Sequence, residues 1–293
     1  MHRFVLHNDH VLDAHEKTIA AGQVGFLNGW GVFSTIRVAD GVLFAFERHW
    51  ERMQHDAARM RVPFPSETSW LKARLHRLIE ANAALNATLR VAVMRNRGGL
   101  FEGPNQERDF DVIAFTANLN DWGSAVRLAV KPNARFAQNE FAGAKITSWA
   151  QNLAWYEEAH ERGFDEMLLL NERGEVSECT SANVFAVRGE EIWTPPLTSG
   201  CLAGVTRAVV LEEIRLPGFS AIEKTLSPKD LERAEQVFVT STTRDFLPVS
   251  EIEGLNVRND RAQLIAELEK AFDGFRRAYV EQNRVPADGI RAR

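Results

Sequence analysis

The segment GEVSECTSANVFAV (Gly174–Val187) opens with a turn signal and closes in an apolar run with the composition of a buried strand. Between them sits Glu178, among Ser177, Cys179, Thr180, Ser181 and Asn183. A carboxylate at the approach to a core costs several kcal/mol unless something cationic meets it. Its partner has to be sought in the rest of the chain.

Working outward, strands alternate with helices. EMLLLN (Glu166–Asn171) reads as a buried strand and Trp149–Arg162 as the helix before it. VRLAVK (Val126–Lys131) is a strand followed by an irregular stretch that ends in FAGAK at Lys145. Downstream, TPPLTSGCLAGVTR (Thr194–Arg207) leads into a helix carrying Val209, Val210 and Ile214. QVFVTS (Gln236–Ser241) is a further strand, and Leu264, Ile265, Leu268, Phe272 and Phe275 mark a long terminal helix.

The first third has the same mixture. VFSTIRV (Val32–Val38) and VLFAF (Val42–Phe46) flank Ala39-Asp40-Gly41, a hairpin signal. Phe46, Trp50, Met53, Ala57 and Met60 recur at helical spacing, with Arg48, His49, Arg52 and Arg59 on the other face. A second helix is expected from Trp70 to about Leu85, with Leu71, Leu75, Leu78 and Ile79 as its buried stripe. LRVAVM (Leu89–Met94) and FDVIAFT (Phe110–Thr116) read as strands separated by the Gly-rich loop RNRGGLFEGPNQ. The class is α/β. At 293 residues the chain exceeds a usual single core. We expect an N-terminal domain over 1–117, a polar linker over 118–124 (within ANLNDWGS) and a C-terminal domain over 125–293.

Composition narrows the function. Hydrophobic content of 45% and charge of 26% are ordinary for a globular protein. The net charge of -5 argues against general affinity for nucleic acid or anionic membranes. No apolar run has the length of a membrane span, and the first residues lack the apolar core of a secretory signal. Two cysteines, Cys179 and Cys201, make no disulfide framework, which suits a cytoplasmic protein. The eight histidines fall singly and no metal site is expected. Walker-type, GxGxxG and GxSxG motifs are missing.

Three chemical features remain. Lys145 follows Gly143 and Ala144 and precedes a helix, so its amine should enter a partly buried space. Glu178 is the second. Gly204 stands just before a helix, leaving the amides of Val205 and Thr206 free at the positive end of its dipole, with Ser241, Thr242 and Thr243 available from the end of a strand. Singly, each has a plainer reading: a solvated lysine, an acid capping a helix or paired with Arg207 or Arg173, a common helix start. Together, an amine, a buried acid and a phosphate pocket fit pyridoxal 5′-phosphate. The amine would join the cofactor's aldehyde carbon, an arginine would assist its phosphate, and the acid would keep its ring nitrogen protonated.

With these residues in hand, the chain resembles the fold-type IV pyridoxal-phosphate enzymes: branched-chain aminotransferases, D-amino acid aminotransferases and aminodeoxychorismate lyases. NGWGVFSTIRVADG (Asn28–Gly41) resembles their G-D-G-V-F-E-x-x-R segment, and HWERMQHDA (His49–Ala57) their H-x-x-R-L-x-x-S-A. The run from Ala144 to Phe185 is similar to the stretch joining the Schiff-base lysine to the ring-nitrogen glutamate. TPPLTSGCLAGVTR and FVTSTTRDFLPV (Phe238–Val249) are similar to T-P-P-x-x-x-x-x-L-x-G-I-T-R and F-x-T-(S/G)-T-x-x-x-x-x-P-V. The resemblance implies Lys145 as the catalytic lysine and Glu178 at the ring nitrogen. It places Arg52, Val205, Thr206, Ser241 and Thr242 around the phosphate and Leu202 against one ring face. It also implies two α/β domains, the second larger and barrel-like, with the cofactor between them, and a homodimer whose partner borders the pocket. Phe33, Arg95, Arg97 and Thr243, with Arg90, are the candidate substrate contacts.

Departures from the pattern bear on substrate. Trp30 replaces the Asp of Gly-Asp-Gly, Ser34 stands where aminotransferases have Glu, and Trp149 stands where branched-chain enzymes place a tyrosine. Their Y-x-R strand becomes Thr88-Leu89-Arg90. The expected activity is ping-pong transfer of an amino group between an amino acid, branched-chain or similar, and a 2-keto acid, with Lys145 moving the α-proton. The alternative is a lyase that releases pyruvate and 4-aminobenzoate from aminodeoxychorismate, towards which Ser34-Thr35 leans. A non-catalytic protein that keeps the fold is a third reading, and the intact cofactor elements speak against it.

Overall fold

The computed structural model describes residues 1–16, 19–20, 22–100, 102–103 and 107–284. The first half runs β1 (Phe4–His7), β2 (His10–Asp13), α1 (Val24–Asn28), β3 (Gly31–Ala39), β4 (Val42–Leu43), α2 (Phe46–Arg59), α3 (Thr68–Ala81), β5 (Ala87–Arg95) and β6 (Phe110–Ala117). Its strands form an antiparallel sheet in the order β2-β1-β6-β5-β3-β4. Side chains alternate across a strand, so Val32, Ile36 and Val38 of β3 join Leu89, Val91 and Val93 of β5 on one face. That face packs against Phe46, Trp50 and Met53 of α2 and Leu71, Leu75 and Leu78 of α3. Phe33, Thr35 and Arg90 alternate onto the opposite face, which borders a cavity.

The hairpin forms as expected, with Asp40 at φ 48° and Gly41 at φ 80°, both left-handed as a two-residue hairpin turn requires. The VLFAF strand is shorter than its composition suggests. The Phe44 N–H closes onto Arg37 O at 2.9 Å, Ala45 takes φ 52°, and Phe46 already begins α2. The second helix ends at Ala81 rather than near Leu85, because Asn82 leaves the helix to bind β1. Its Oδ1 accepts the Phe4 N–H at 2.9 Å and its Nδ2 donates to Phe4 O at 2.8 Å. Of the Gly-rich loop after β5, residues 101 and 104–106 lie outside the described residues.

The second half runs β7 (Val126–Arg135), α4 (Ala150–Glu161), β8 (Glu166–Asn171), β9 (Val176–Cys179), β10 (Asn183–Arg188), β11 (Glu191–Thr194), α5 (Val205–Glu212), β12 (Ser220–Glu223), α6 (Pro228–Arg233), β13 (Gln236–Ser241), β14 (Asp245–Ile252) and α7 (Ala262–Asn283). The sheet order is β12-β11-β10-β13-β14-β7-β8-β9, parallel at β11–β12, β14–β7 and β7–β8. It curls into a half-barrel: the Cys179 N–H donates to Ala182 O at 2.8 Å, so the edge strand β9 turns directly into β10, deep in the order. One apolar cluster (Val184, Ala186, Val237, Val239, Val249) lies on one face of these strands. A second (Phe185, Phe238, Phe272 with Val209) ties α5 and α7 to the other face. Phe44 from the first half packs edge-on against Phe272 at 5.7 Å.

Candidate active site

A cavity of about 580 Å³ lies between the face of β3 and β5 turned away from α2 and α3, the β9–β10 turn, the start of α5 and the turn after β13. It is lined by Phe33, Arg52, Lys145, Glu178, Leu202, Val205, Thr206, Ser241, Thr242 and Thr243, residues scattered through the sequence but brought together here.

Lys145 reaches the cavity because its segment is docked on β3 like an extra short strand. Its carbonyl accepts the Phe33 N–H at 3.0 Å, and the Thr147 N–H donates to Gly31 O at 2.9 Å. Its own N–H donates to Asp56 Oδ2 at 3.0 Å. The amine lies over the Phe33 ring at 4.7 Å and 5.9 Å from the Trp149 centroid. Loss of water around it, and then the nearby positive charge of Arg52, bring its pKa down to about 7, against the pull of Glu178 and Asp56. Lys145 is thus poised to hold or release a proton near neutral pH.

Glu178 is 7% exposed and sits in β9 opposite Leu169 of β8. Its partner is neither Arg207 nor Arg173. Arg207 pairs with Glu223, and Arg173 with Glu172 and Glu175. Arg135, at the end of β7, donates Nε–H to Glu178 Oε1 at 3.1 Å, and the Leu202 N–H donates to Oε2 at 3.0 Å.

At the other end, α5 begins at Val205 with Gly204 as its N-terminal cap in extended geometry. The first amides of a helix have no acceptor within it, so those of Val205 and Thr206 are available for an anion. Gly204 is required here, since a Cβ would fall on Asn183 Oδ1. Asn183 in turn donates Nδ2–H to Leu202 O at 2.9 Å and fixes the loop. Arg52 faces this helix start, donating to Ser34 Oγ at 2.7 Å and Ala203 O at 3.3 Å, while its buried Nε has no partner among the described residues. Burial lowers its pKa to about 10, which leaves it charged at neutral pH.

Arg90 lines the same cavity. Its guanidinium stacks on the Phe33 ring at 3.9 Å, and burial lowers its pKa. Among the described residues it has no ion-pair partner. Arg95 and Arg97 do not line the cavity, contrary to expectation. Arg95 stacks over Trp30 at 4.3 Å and donates to the carbonyls of Arg61 and Arg97, each at 2.5 Å, and Arg97 lies 3.3 Å from Asp109. Both stay with the loop after β5. Arg135 and Asp56 were not singled out from sequence, and His49, expected on the polar face of its helix, is buried at 1% exposure. Asp56 could have been found from its place one turn after Arg52, but Arg135 carried no local signal.

The family model for class IV amino-transferases matches residues 31–252. The chain belongs to the class IV aminotransferase family. It is 27% identical to the D-alanine aminotransferase of Bacillus licheniformis over 271 residues, covering 86% of this chain and 89% of that protein. It is 25% identical to the branched-chain-amino-acid aminotransferase of Salmonella typhimurium over 269 residues, 84% of each chain. The crystal structure of the Escherichia coli branched-chain amino acid aminotransferase superposes with a TM-score of 0.86 at 24% identity, covering 94% of this chain and 95% of that one, and shows the same fold. Class IV aminotransferases depend on pyridoxal 5′-phosphate. The residues present fit that group: an orphaned guanidinium N–H and a helix start suit a phosphate, and a buried carboxylate and an amine of lowered pKa suit its ring and aldehyde. Among the described residues no helix is long and apolar enough to cross a membrane.

Proposed function

We infer that this class IV aminotransferase moves an amino group between an amino acid, branched-chain or similar, and a 2-keto acid by a ping-pong cycle centred on the cavity. The observation that carries the reading is the meeting of Lys145, Glu178 and Arg52 around one cavity, with Arg90, which has no ion-pair partner among the described residues, beside them. Bound pyridoxal phosphate would supply an electron sink for the pair of electrons left when the α-proton departs. Lys145 would hold the cofactor and, once the substrate's amine has displaced it, would take the α-proton and return it elsewhere, as a free amine with a pKa of about 7 suits. Glu178, already oriented by Arg135 and Leu202, would hold the ring nitrogen protonated. Arg52, the amides of Val205 and Thr206, and the hydroxyls of Thr206, Ser241 and Thr242 would bind the phosphate, and Leu202 would cover a ring face.

Arg90 replaces Arg95 and Arg97 as the residue for a substrate carboxylate. A charge-assisted pair there would contribute about 1.5–3 kcal/mol. Phe33 and Thr243 border that place. Two domains divided at 118–124 fit the gap between Ala117, where β6 ends, and Val126, where β7 begins. A homodimer fits the exposed Phe136 and Phe141, both at the cavity's rim, and a cytoplasmic location fits the buried free cysteines.

The test is a set of half-reactions with the purified, cofactor-loaded enzyme against amino acids of the L and D series. Conversion of the cofactor's visible spectrum by some of them, restored by 2-oxoglutarate or pyruvate, is expected. Lys145→Ala should lose both the spectral change and turnover, and Arg52→Ala should bind cofactor more weakly. A fully active Lys145→Ala enzyme overturns the reading. Pyruvate released from aminodeoxychorismate with no acceptor present would mark the lyase instead.

A further inference from the structure

Asp56 is 2% exposed and lies one helical turn beyond Arg52 on α2. Its Oδ2 accepts the main-chain N–H of Lys145 at 3.0 Å, and its Oδ1 is 3.7 Å from Nη1 of Arg59. Burial raises the Asp56 pKa, while the bond from the Lys145 N–H and the charges of Arg52, Arg59 and His55 favour the carboxylate. That one buried acid holds the main chain of the cavity lysine and, from one turn away, its field favours the charged form of Arg52. On its strand side, among the described residues, Arg52 meets only a neutral group, Ser34 Oγ, at 2.7 Å. Ser34 is held in turn by His49 Nδ1 at 2.7 Å. His49 is 1% exposed, and burial, then the charges of Arg52 and Lys145, keep it neutral. Neither Ser34 nor His49 can balance the guanidinium.

The two positions that decide this balance are both departures from the motifs that the chain otherwise follows. Position 56 is Asp where H-x-x-R-L-x-x-S-A has Ser, and position 34 is Ser where G-D-G-V-F-E has Glu. Acid and hydroxyl have traded places across Arg52. We propose that Asp56 is a positioning residue that supplies the counter-charge of Arg52 and fixes the Lys145 main chain at once, in place of an acid at position 34. The inference rests on the roles given above to Arg52 and Lys145. Its consequence is a coupling: the group that steadies the phosphate arginine also bears on the electrostatics of the lysine.

A mutant cycle tests it, with two readouts on cofactor-free protein besides activity: pyridoxal phosphate affinity, and the pH at which Lys145 becomes reactive to an acylating reagent, followed by peptide mass mapping. Asp56→Asn keeps shape and can still accept the Lys145 N–H but removes the charge, so the Lys145 titration should move to lower pH. Asp56→Glu should keep it near the parent value. Ser34→Glu adds a second anion at Arg52 and should weaken pyridoxal phosphate binding by about tenfold, while adding Asp56→Ser should restore it to within about threefold. An unmoved Lys145 titration in Asp56→Asn, or a double variant as weak as Ser34→Glu alone, overturns the proposal. Should Ser34→Glu not fold, recovery of folding by Asp56→Ser supports the exchange, and its failure overturns it. The underlying reading fails separately, through a Lys145→Ala protein that binds pyridoxal phosphate as tightly as the parent.

Discussion

Arg135 Nε donates to Glu178 Oε1 at 3.1 Å, from the last residue of β7 to the middle of β9. The carboxylate is thereby oriented before any ligand arrives, with its second oxygen held by the Leu202 N–H. Only two of its acceptor sites are used by these bonds, so it can still meet a cationic ring in the cavity.

Truncating Arg135 should therefore matter most in the cofactor-free protein. Arg135→Ala leaves Glu178 short of a counter-charge, at a cost of about 2 kcal/mol, below that of a fully buried broken pair because both side chains keep some exposure. With pyridoxal phosphate bound, a protonated ring nitrogen would compensate, and the loss should shrink. Thermal melts with and without cofactor check this. An equal loss in both states would mean that Glu178 does not face a cation from the cofactor. Arg135→Lys should recover part of the stability.

Lys145 gives a pH signature with a definite sign. A lysine in the unfolded chain titrates at about 10.4, whereas Lys145 in the folded protein titrates at about 7. Between those values the unfolded chain carries a proton that the folded one lacks, so stability rises with pH across that window. Below it both states are protonated and the folded protein bears the full cost of a buried ammonium. Lys145→Met removes that cost. The cofactor-free variant should melt above the parent at about pH 6, with the gap closing towards about pH 10. A gap that stays constant with pH would show that the amine is solvated.

Lys145, Glu178 and the start of α5 were legible in the sequence because each carries its signal locally: small residues before a lysine, an acid entering an apolar run, a glycine before a helix. Arg135 was not, because its pairing with Glu178 arises only when β7, β8 and β9 lie side by side. The same limit hid β14, whose DFLPVSEI carries Pro248, a residue that cannot donate to a ladder. It lies opposite Phe238 of β13, and the pairing with β7 begins one residue later, at Val249. Arg95 and Arg97 misled for the opposite reason. They stand in a Gly-rich loop of suggestive composition, yet Trp30 and Asp109 hold them away from the cavity.

Gly143 should tolerate no side chain. Its φ is 73°, and a Cβ would approach Cys201 O to 2.5 Å, where two backbone segments meet. Neither can yield as a flexible side chain would. Gly143→Ala should cost about 2 kcal/mol from the left-handed backbone and the contact together. Since Lys145 lies two residues on, the segment docked on β3 should shift with it, and kcat should fall while the protein remains folded at room temperature. Circular dichroism melts and steady-state rates on one preparation check both halves. Unchanged kcat with the full stability loss would separate Gly143 from the placement of the lysine.

Glu166 and Arg244 form an ion pair at 3.0 Å whose side chains are 0% and 2% exposed. The carboxylate also accepts the Ser181 hydroxyl at 2.6 Å, the Met167 N–H at 3.0 Å and the Thr180 hydroxyl. Arg244 donates to Ser181 Oγ at 2.8 Å, its main-chain N–H to Ser241 Oγ at 3.2 Å, and its guanidinium stacks on Trp122 at 4.1 Å. Thr180, Ser181 and Ser241 line the cavity, so the pair braces its wall from behind. Arg244→Met should leave a buried charge unpaired and cost about 3–5 kcal/mol, whereas Glu166→Gln with Arg244→Met should recover much of it. Because the hydroxyls on the cavity side lose their anchor, the single variant should also bind pyridoxal phosphate more weakly. Urea unfolding gives the stability and an absorbance titration the affinity. If affinity holds while stability falls by the full amount, the pair supports the fold alone and the phosphate turn is positioned by β13 without it.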